Sequence, residues 1–376
     1  MKKVGITGQN GFIGKHLYNT IGLFPEEFER VNFQKEFFDD ENQMADFVAK
    51  CDVIVHLAAK NRHNDPQVIY DTNVSLVRKL IAALKKTNSR AHVIFSSSTQ
   101  EERDNLYGKS KKEGRELMSA WAKQSGGKFS GMVIPNVFGP FGHPYYNSFV
   151  ATFCHQLSHG ETPKVDMDGE VKLIYVGELV DSILKEVRDE KSNDGIIVPH
   201  TAEYKVSEIL RLLELYKNEY QEKGVIPALH NRFEVNLFNT FRCYMNIENY
   251  FPRKFKQNID PRGAFVEVIR LNVGGQVSFS TTVPGITRGN HFHTRKIERF
   301  AVIKGKALIQ LRRIGTDQVL DFHLDGNEPA YVDMPVWFTH NIKNTGEEEL
   351  YTIFWINEFY DPKDPDTFFE DVVVGG

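Results

Sequence analysis

At 376 residues, with 41% hydrophobic and 26% charged residues, the chain has the composition of a soluble globular protein long enough for two domains. A net charge of −4 leaves no basic excess for nucleic acid or an acidic membrane surface, and no run of about 18 apolar residues offers a membrane span. Cys51, Cys154 and Cys243 form no C-x-x-C pair, and MKKVGITGQNGFIG reaches its glycines before a signal-peptide core can form, so a reducing cytoplasm is expected.

In chain order, Lys3–Thr7 is expected as a short strand ending in glycines, followed by a helix over Lys15–Ile21. Asp52–Ala59 (DVIVHLAA) and His92–Ser96 (HVIFS) are continuous apolar runs, the pattern of strands covered on both faces. Val74–Lys85 and Lys109–Gln124 carry helical periodicity, and Gly131–Pro135 returns to strand. Alternating strands and helices predict a parallel sheet. After about Cys243 the pattern changes to short extended runs at Val266–Ile269, Gln276–Thr282, Ala301–Ile303, Ala307–Arg312, Val319–His323 and Leu350–Ile356, punctuated by Gly, Pro, Asn and Asp. That predicts an antiparallel sandwich or barrel, with Asn236–Ile259 as the junction. The expected division is an α/β domain over 1–243 and an all-β domain over 244–376.

Gly8, Gly11 and Gly14 follow the first strand directly. Glycine there lets backbone approach a pyrophosphate, and the next helix offers free N–H groups to it. No acidic residue stands at the expected end of the second strand, Val31–Phe33. Lys35 lies nearby, either as a partner for a ribose 2′-phosphate, favouring NADPH, or as a solvated loop lysine. Tyr107 and Lys111 are four apart at the head of a helix, so they share a face. An ammonium beside the phenol is expected to lower the phenol's pKa and make Tyr107 a general acid for a ketone oxygen. Ser98, ending the strand upstream, could hydrogen-bond the same oxygen. The bland alternative is a surface helix.

Further on, His291 and His293 are separated by one residue, and on a strand they project to one side. With Glu298 and His340 they can make a shell of three nitrogens and one oxygen, suited to zinc or another first-row divalent ion. A histidine that ligates through its free lone pair cannot also serve as a base.

TGQNGFIG, DVIVHLAA, Asn73, SSS and YGKSK together resemble the extended short-chain dehydrogenase/reductase family over roughly the first 240 residues. The resemblance implies a Rossmann-type doubly wound parallel sheet, a nicotinamide coenzyme (NADPH, with NADH possible) and a catalytic set of Ser98, Tyr107 and Lys111. It implies coenzyme contacts from Gly8, Gly11, Phe12, Ile13, Gly14, Lys35, Leu57, Ala58, Ala59, Tyr107, Lys111 and Pro135, and substrate contacts from Asn136, Asn147 and Ser148. The family's arginine before the proline of PNVFGP is absent, as is the acid on strand two.

The barrel motifs, G-x5-H-x-H-x4-E-x6-G and P-x-W-x2-H-x3-N, resemble those of cupins, with Trp337 in the second motif's usual glycine position. ITRGNHFH is similar to the RGxH segment of deoxysugar 3,5-epimerases, where the histidine is a base. The fusion as a whole, including YYNSFVATFC and WINEFYDPKDPDTFF, resembles the CapF family of bifunctional capsular-polysaccharide enzymes. That resemblance implies a UDP-keto-sugar substrate, epimerised at carbon 3 by the cupin and reduced at carbon 4 by the reductase. Cupins and short-chain reductases both tend to dimerise, so a homodimer is also implied, while the net charge and the lack of an apolar span point to no nucleic-acid or membrane partner. Two rivals remain open: a keto-sugar reductase whose cupin is structural, and a non-catalytic sugar-binding protein.

Overall fold

The computed structural model describes residues 1–261 and 263–373. Contacts divide the chain into two compact units: Met1–Thr152 with Met167–Val206, and Phe153–Asp166 with everything from Ser207 onward.

The first unit is α/β. Its strands are β1 (Lys2–Thr7), β2 (Phe28–Val31), β3 (Val53–His56), β4 (His92–Ser98), β5 (Lys128–Ile134), β6 (Asn136–Phe138), β7 (Glu170–Tyr175), β8 (Asn193–Ile197) and β9 (Ala202–Lys205). Its helices are α1 (Phe12–Ile21), α2 (Glu41–Ala49), α3 (Pro66–Lys86), α4 (Leu106–Ser125) and α6 (Val176–Asp189), while α5 (Phe149–Ser158) crosses the division at Thr152. Six strands form a parallel sheet in the order β2-β1-β3-β4-β5-β8, and β6, β7 and β9 form a small second sheet. Apolar clusters cover both faces of the large sheet: Leu17, Ile21 and Leu179 from α1 and α6 lie in one, and Phe47, Leu80 and Trp121 from α2, α3 and α4 in the other. That double cover explains the unbroken apolar runs of β3 and β4. The order of strands reverses beside β1, and the loops after β1 and β3 open the crevice where such sheets bind ligands.

Element ends follow local chemistry. The long helix α3 begins at Pro66, eight residues before its apolar periodicity, because the Asp65 carboxylate accepts from the Gln67 N–H at 2.9 Å and Pro66 sits in the first turn. Asn105 caps α4 through the Gly108 N–H at 2.7 Å.

The second unit carries α7 (Val206–Tyr216, its first residue in the other unit), α8 (Arg232–Arg242), α9 (Ile247–Tyr250) and a β-barrel. Its strands are β10 (Arg253–Lys254), β11 (Gln257–Asp260), β12 (Gly263–Val266), β13 (Gln276–Thr282), β14 (Thr287–Phe292), β15 (Glu298–Lys304), β16 (Lys306–Arg313), β17 (Val319–Asp325), β18 (Ala330–Met334), β19 (Phe338–Asn344), β20 (Leu350–Ile356) and β21 (Phe368–Phe369). Two antiparallel sheets, β10-β18-β15-β20-β13 and β17-β16-β19-β14-β21, make the barrel, and β11 and β12 form a separate hairpin. Val266 ends β12, so the strand expected over Val266–Ile269 lies earlier in the chain. The stretch expected as a junction holds most of α8, all of α9, the barrel strand β10 and most of β11, which belongs to the separate hairpin.

A buried polar cluster joins helices to barrel within this unit. The Arg299 guanidinium donates to both Asp333 carboxylate oxygens at 2.7 and 3.0 Å, and its centre lies 3.8 Å over the Tyr331 ring. The Tyr220 hydroxyl donates to the same carboxylate at 2.7 Å, and Arg242 on α8 donates to the Met334 carbonyl at 3.0 Å. Removing one member of such a pair strands a buried charge. Asp333→Ala is therefore expected to destabilise by roughly 3–5 kcal/mol. Scanning calorimetry of the full chain should show the barrel transition moving down, and an unmoved transition would contradict this account.

Candidate functional site

The glycine loop is shaped by contacts that exclude side chains. Gly8 has φ 78°, and a Cβ there would lie 2.9 Å from the Ala58 backbone nitrogen. A Cβ on Gly14 would lie 2.2 Å from the Gly8 carbonyl oxygen, so α1 packs on the loop only through glycine. The Gly11 N–H donates to that carbonyl at 2.9 Å and opens α1, whose first turn carries Phe12 and Ile13. Leu57, Ala58 and Ala59 leave β3 beside the loop, tied by the Leu57 N–H to the Thr7 carbonyl at 3.1 Å. The structure thus brings Gly8, Gly14 and the Leu57–Ala59 segment together at one crevice. Lys35 is exposed at the start of a 3-10 turn after β2. Gln9 bridges the loop to that strand end, donating to the Asn32 side chain at 3.0 Å and accepting from the Phe33 N–H at 3.2 Å. Nothing in the glycine spacing singles Gln9 out.

Ser98 ends β4, and its hydroxyl oxygen accepts from the Gln100 N–H at 3.2 Å, which leaves its own hydrogen available. Tyr107 and Lys111 lie on α4 as the spacing predicts. Their electrostatics differ from expectation. The buried Lys111 ammonium donates to the Ser96 carbonyl at 2.6 Å, and burial draws it down to about 8 against the pull of Glu101. Tyr107 is not lowered: burial, then the neighbouring Tyr146 phenol, push it up to about 12. Desolvation of the phenolate outweighs an ammonium that is turned toward β4.

Two residues outside the motifs, Glu101 and Arg115, brace this end of β4. Glu101 accepts from Arg115 at 2.7 and 3.0 Å and from the Ser97 hydroxyl. Burial favours its acid form, but those hydrogen bonds hold the carboxyl below its usual range. On the other side of α4, Asn73 accepts from the Lys60 N–H at 2.7 Å and donates to Ser110 at 3.1 Å, joining α3 to α4.

A cleft of about 370 Å³ is lined by Arg62, Tyr145, Tyr146, Asn147, Ser148, Phe149 and Thr152. The two expected substrate residues Asn147 and Ser148 therefore share a cavity. Tyr146, which no motif singles out, joins them with its hydroxyl 3.4 Å from the Asn61 N–H. Asn136 is not among the lining residues: its amide donates to the Lys172 carbonyl at 3.3 Å. Pro135 is buried between β5 and β6.

In the barrel, His291, His293, Glu298 and His340 offer ligand atoms that all lie within 4.8 Å of one another. His293 Nδ1 faces the Asp366 carbonyl at 2.5 Å, and His340 Nδ1 faces the Phe338 carbonyl at 3.2 Å. Each Nδ1 must carry the proton to make that contact, so each Nε2 presents a lone pair. Both Nε2 atoms point at Glu298 Oε2, at 3.1 and 3.2 Å, and His340 Nε2 is buried without an aligned hydrogen bond. Lone pairs crowded against a carboxylate call for a cation or a proton among them, and the donor set fits a divalent metal. Burial, with His340 and His293 adding to it, draws His291 down to about 4. Burial alone would raise the Glu298 carboxyl, yet His293 and His340 hold it far below the usual range.

Trp337 explains its own departure from the motif. Its φ is 64°, the left-handed backbone that glycine adopts freely. The ring stacks on Phe292 at 5.6 Å, and the Trp337 N–H donates to the His293 carbonyl at 2.8 Å. Packing thereby holds a strained turn that leads directly into the strand bearing His340.

The chain belongs to the NAD dependent epimerase/dehydratase family, whose pattern matches residues 4–198, while residues 258–368 match the Polysaccharide biosynthesis C-terminal domain. It is 31% identical to a UDP-2-acetamido-2,6-beta-L-arabino-hexul-4-ose reductase of Pseudomonas aeruginosa, over 97% of this chain and 98% of that relative. The crystal structure of the capsular polysaccharide assembling protein CapF from Staphylococcus aureus is 33% identical with a TM-score of 0.62, over 99% of this chain and 100% of that one. RMD from Pseudomonas aeruginosa, solved with NADPH, shares the fold at 18% identity and a TM-score of 0.54, over 65% of this chain and 98% of its own. Within the wider family, the full-length likeness makes this chain a member of the CapF family. No described helix is long and apolar enough to cross a membrane.

Proposed function

We propose that the chain is a bifunctional, cytoplasmic nucleotide-sugar enzyme. Its barrel epimerises carbon 3 of a UDP-4-keto-6-deoxy-N-acetylhexosamine. Its α/β unit then reduces the carbon 4 ketone with NADPH to UDP-2-acetamido-2,6-dideoxy-L-talose. The observation that carries this reading is the coexistence of two separate chemical sets on a chain matched end to end by a keto-sugar reductase. The reductive set falls within residues 1–243 and the metal set within 244–376, the two functional domains of the proposal.

In the reductive half, Gly8, Gly11 and Gly14 open the loop to the coenzyme pyrophosphate, and the coenzyme supplies the hydride. Tyr107, protonated because its pKa is raised, gives its hydroxyl proton to the ketone oxygen as that oxygen becomes negative, and is reprotonated from solvent. Ser98 donates its available hydrogen to the same oxygen. Lys111 carries positive charge beside the site, and Asn147, Ser148 and Tyr146 line the sugar cleft.

In the barrel, His291, His293, Glu298 and His340 hold a divalent ion, zinc by donor type. Such an ion supplies Lewis-acid charge near an oxygen that turns negative when the adjacent carbon loses its proton. With its lone pair committed, His291 is not the base, so another group removes the carbon 3 proton, and a proton from solvent returns to the opposite face of the enolate to invert carbon 3. A homodimer is part of the same proposal: β13 is a sheet edge with exposed Val277 and Phe279, and light scattering of the full chain checks it.

The test is one incubation of the full chain with NADPH and the UDP-4-keto sugar in deuterium oxide. Deuterium at carbon 3, inverted configuration there, and one NADPH consumed per product are expected by NMR and absorbance. NADPH consumption with carbon 3 untouched would leave a reductase with a structural barrel. Neither activity would leave a sugar-binding protein.

A further inference from the structure

The four candidate ligands reach the cluster from strands and a loop, and the loop between His293 and Glu298 is pinned by a residue far along the chain. Asp366 is buried and has φ 41°, a left-handed backbone unusual for a side chain with a Cβ. One carboxylate oxygen accepts from the Thr294 N–H at 3.0 Å and the Thr294 hydroxyl at 2.7 Å. The other accepts from the Arg295 and Lys296 N–H groups, both at 3.0 Å. Three consecutive amides thus wrap one carboxylate, an anion nest formed by protein alone. The same residue's carbonyl meets His293 Nδ1 at 2.5 Å.

These contacts do two things at once. The carbonyl fixes the His293 tautomer and ring plane, so that Nε2 faces Glu298. The carboxylate fixes residues 294–296, three of the four between His293 and Glu298. The segment continues into β21, which pairs Phe369 with His291, and Arg312 holds its far end through the Val372 carbonyl at 2.7 Å and the Glu370 carboxylate at 2.7 Å. Asp366 contributes no ligand atom to the cluster.

We propose that Asp366 is a positioning residue of the metal centre, setting the His293 ring and the 294–296 loop so that His293 and Glu298 converge on one divalent ion. This rests on the reading of the cluster as a metal site.

The test uses two variants of the full chain. Asp366→Gly removes the carboxylate, keeps the carbonyl and tolerates the positive φ. Asp366→Asn keeps the shape and one acceptor oxygen. Zinc affinity is measured by competition with a chromogenic chelator, and thermal unfolding is measured on metal-free protein. Zinc affinity is expected to fall roughly 10–100-fold in the Gly variant, by analogy with other outer-shell partners of metal ligands, and by less in the Asn variant. Nitrogen-15 NMR should show the His293 ring losing its single Nδ1–H tautomer in the Gly variant, because the carboxylate's four bonds to residues 294–296 are what hold the residue 366 carbonyl against Nδ1. Should that variant not fold, the Asn variant decides through the same two readouts. If wild type binds zinc and folded variants bind it equally, the positioning role is overturned while the metal site stands. A loss of metal-free stability with affinity and tautomer unchanged also overturns it, leaving a structural role. If wild type binds no zinc, the metal reading itself fails.

Discussion

Tyr107→Phe should slow keto-sugar reduction by roughly 10²–10⁴-fold, the usual contribution of a positioned general acid, and leave NADPH affinity near that of wild type. The variant loses only a hydroxyl, and that hydroxyl matters when negative charge develops on the ketone oxygen, not when coenzyme binds. Stopped-flow NADPH oxidation and coenzyme titration measure the two quantities separately. Near-normal turnover would remove Tyr107 from the chemistry. The pH dependence follows from the same site. An acid pushed up to about 12 stays protonated throughout the working range, so Tyr107 does not shape the profile. Lys111 does, because burial draws it to about 8: it is charged below that pH and neutral above it. The kcat/KM for reduction should hold steady below about pH 8 and fall above it. A profile flat well past that point would show that the Lys111 charge is not used.

His293→Ala should reduce bound divalent metal from about one ion per chain to nearly none, since structural and catalytic zinc sites need three or four protein ligands in fixed geometry. The same variant should lose deuterium exchange at carbon 3 yet still reduce a ketone already inverted there, because the glycine loop and Tyr107 lie in the other compact unit. Elemental analysis and exchange followed by NMR check both parts. Equal and negligible metal in wild type and variant would return the four residues to ordinary core polar groups.

Part of this architecture is legible in the amino-acid pattern alone. β13 and β20 fall where short extended runs are expected, at Gln276–Thr282 and Leu350–Ile356, because both are rich in β-branched and aromatic residues and are bounded by turn-forming Gly, Pro and Asn. β19 carries no such signal: Thr339, His340, Asn341 and Asn344 are all buried polar groups, each serving a ligand or a loop contact, so its apolar pattern is erased. The four metal candidates are readable because three stand within eight residues and the fourth lies in a matching motif. Asp366 is not, since its partners lie 70 to 73 positions away and only folding joins them. The Y-x-x-x-K spacing correctly puts Tyr107 and Lys111 on one helix face, but spacing carries no information on burial. Burial decides both pKa values.

The Arg299–Asp333–Tyr220 cluster bears on where this barrel can be cut loose. Opening α8 alone would strand Arg242 from the Met334 carbonyl, and unwinding the turn at Tyr220 would strip a donor from a fully buried carboxylate. Amide hydrogen exchange over residues 207–242 should therefore track β15 and β18 as one cooperative foldon, not the α/β unit. A barrel transplanted onto another reductase from residue 244 would arrive with Asp333 half-partnered. A portable module takes Phe153–Asp166 and the whole helical stretch from Ser207 with it.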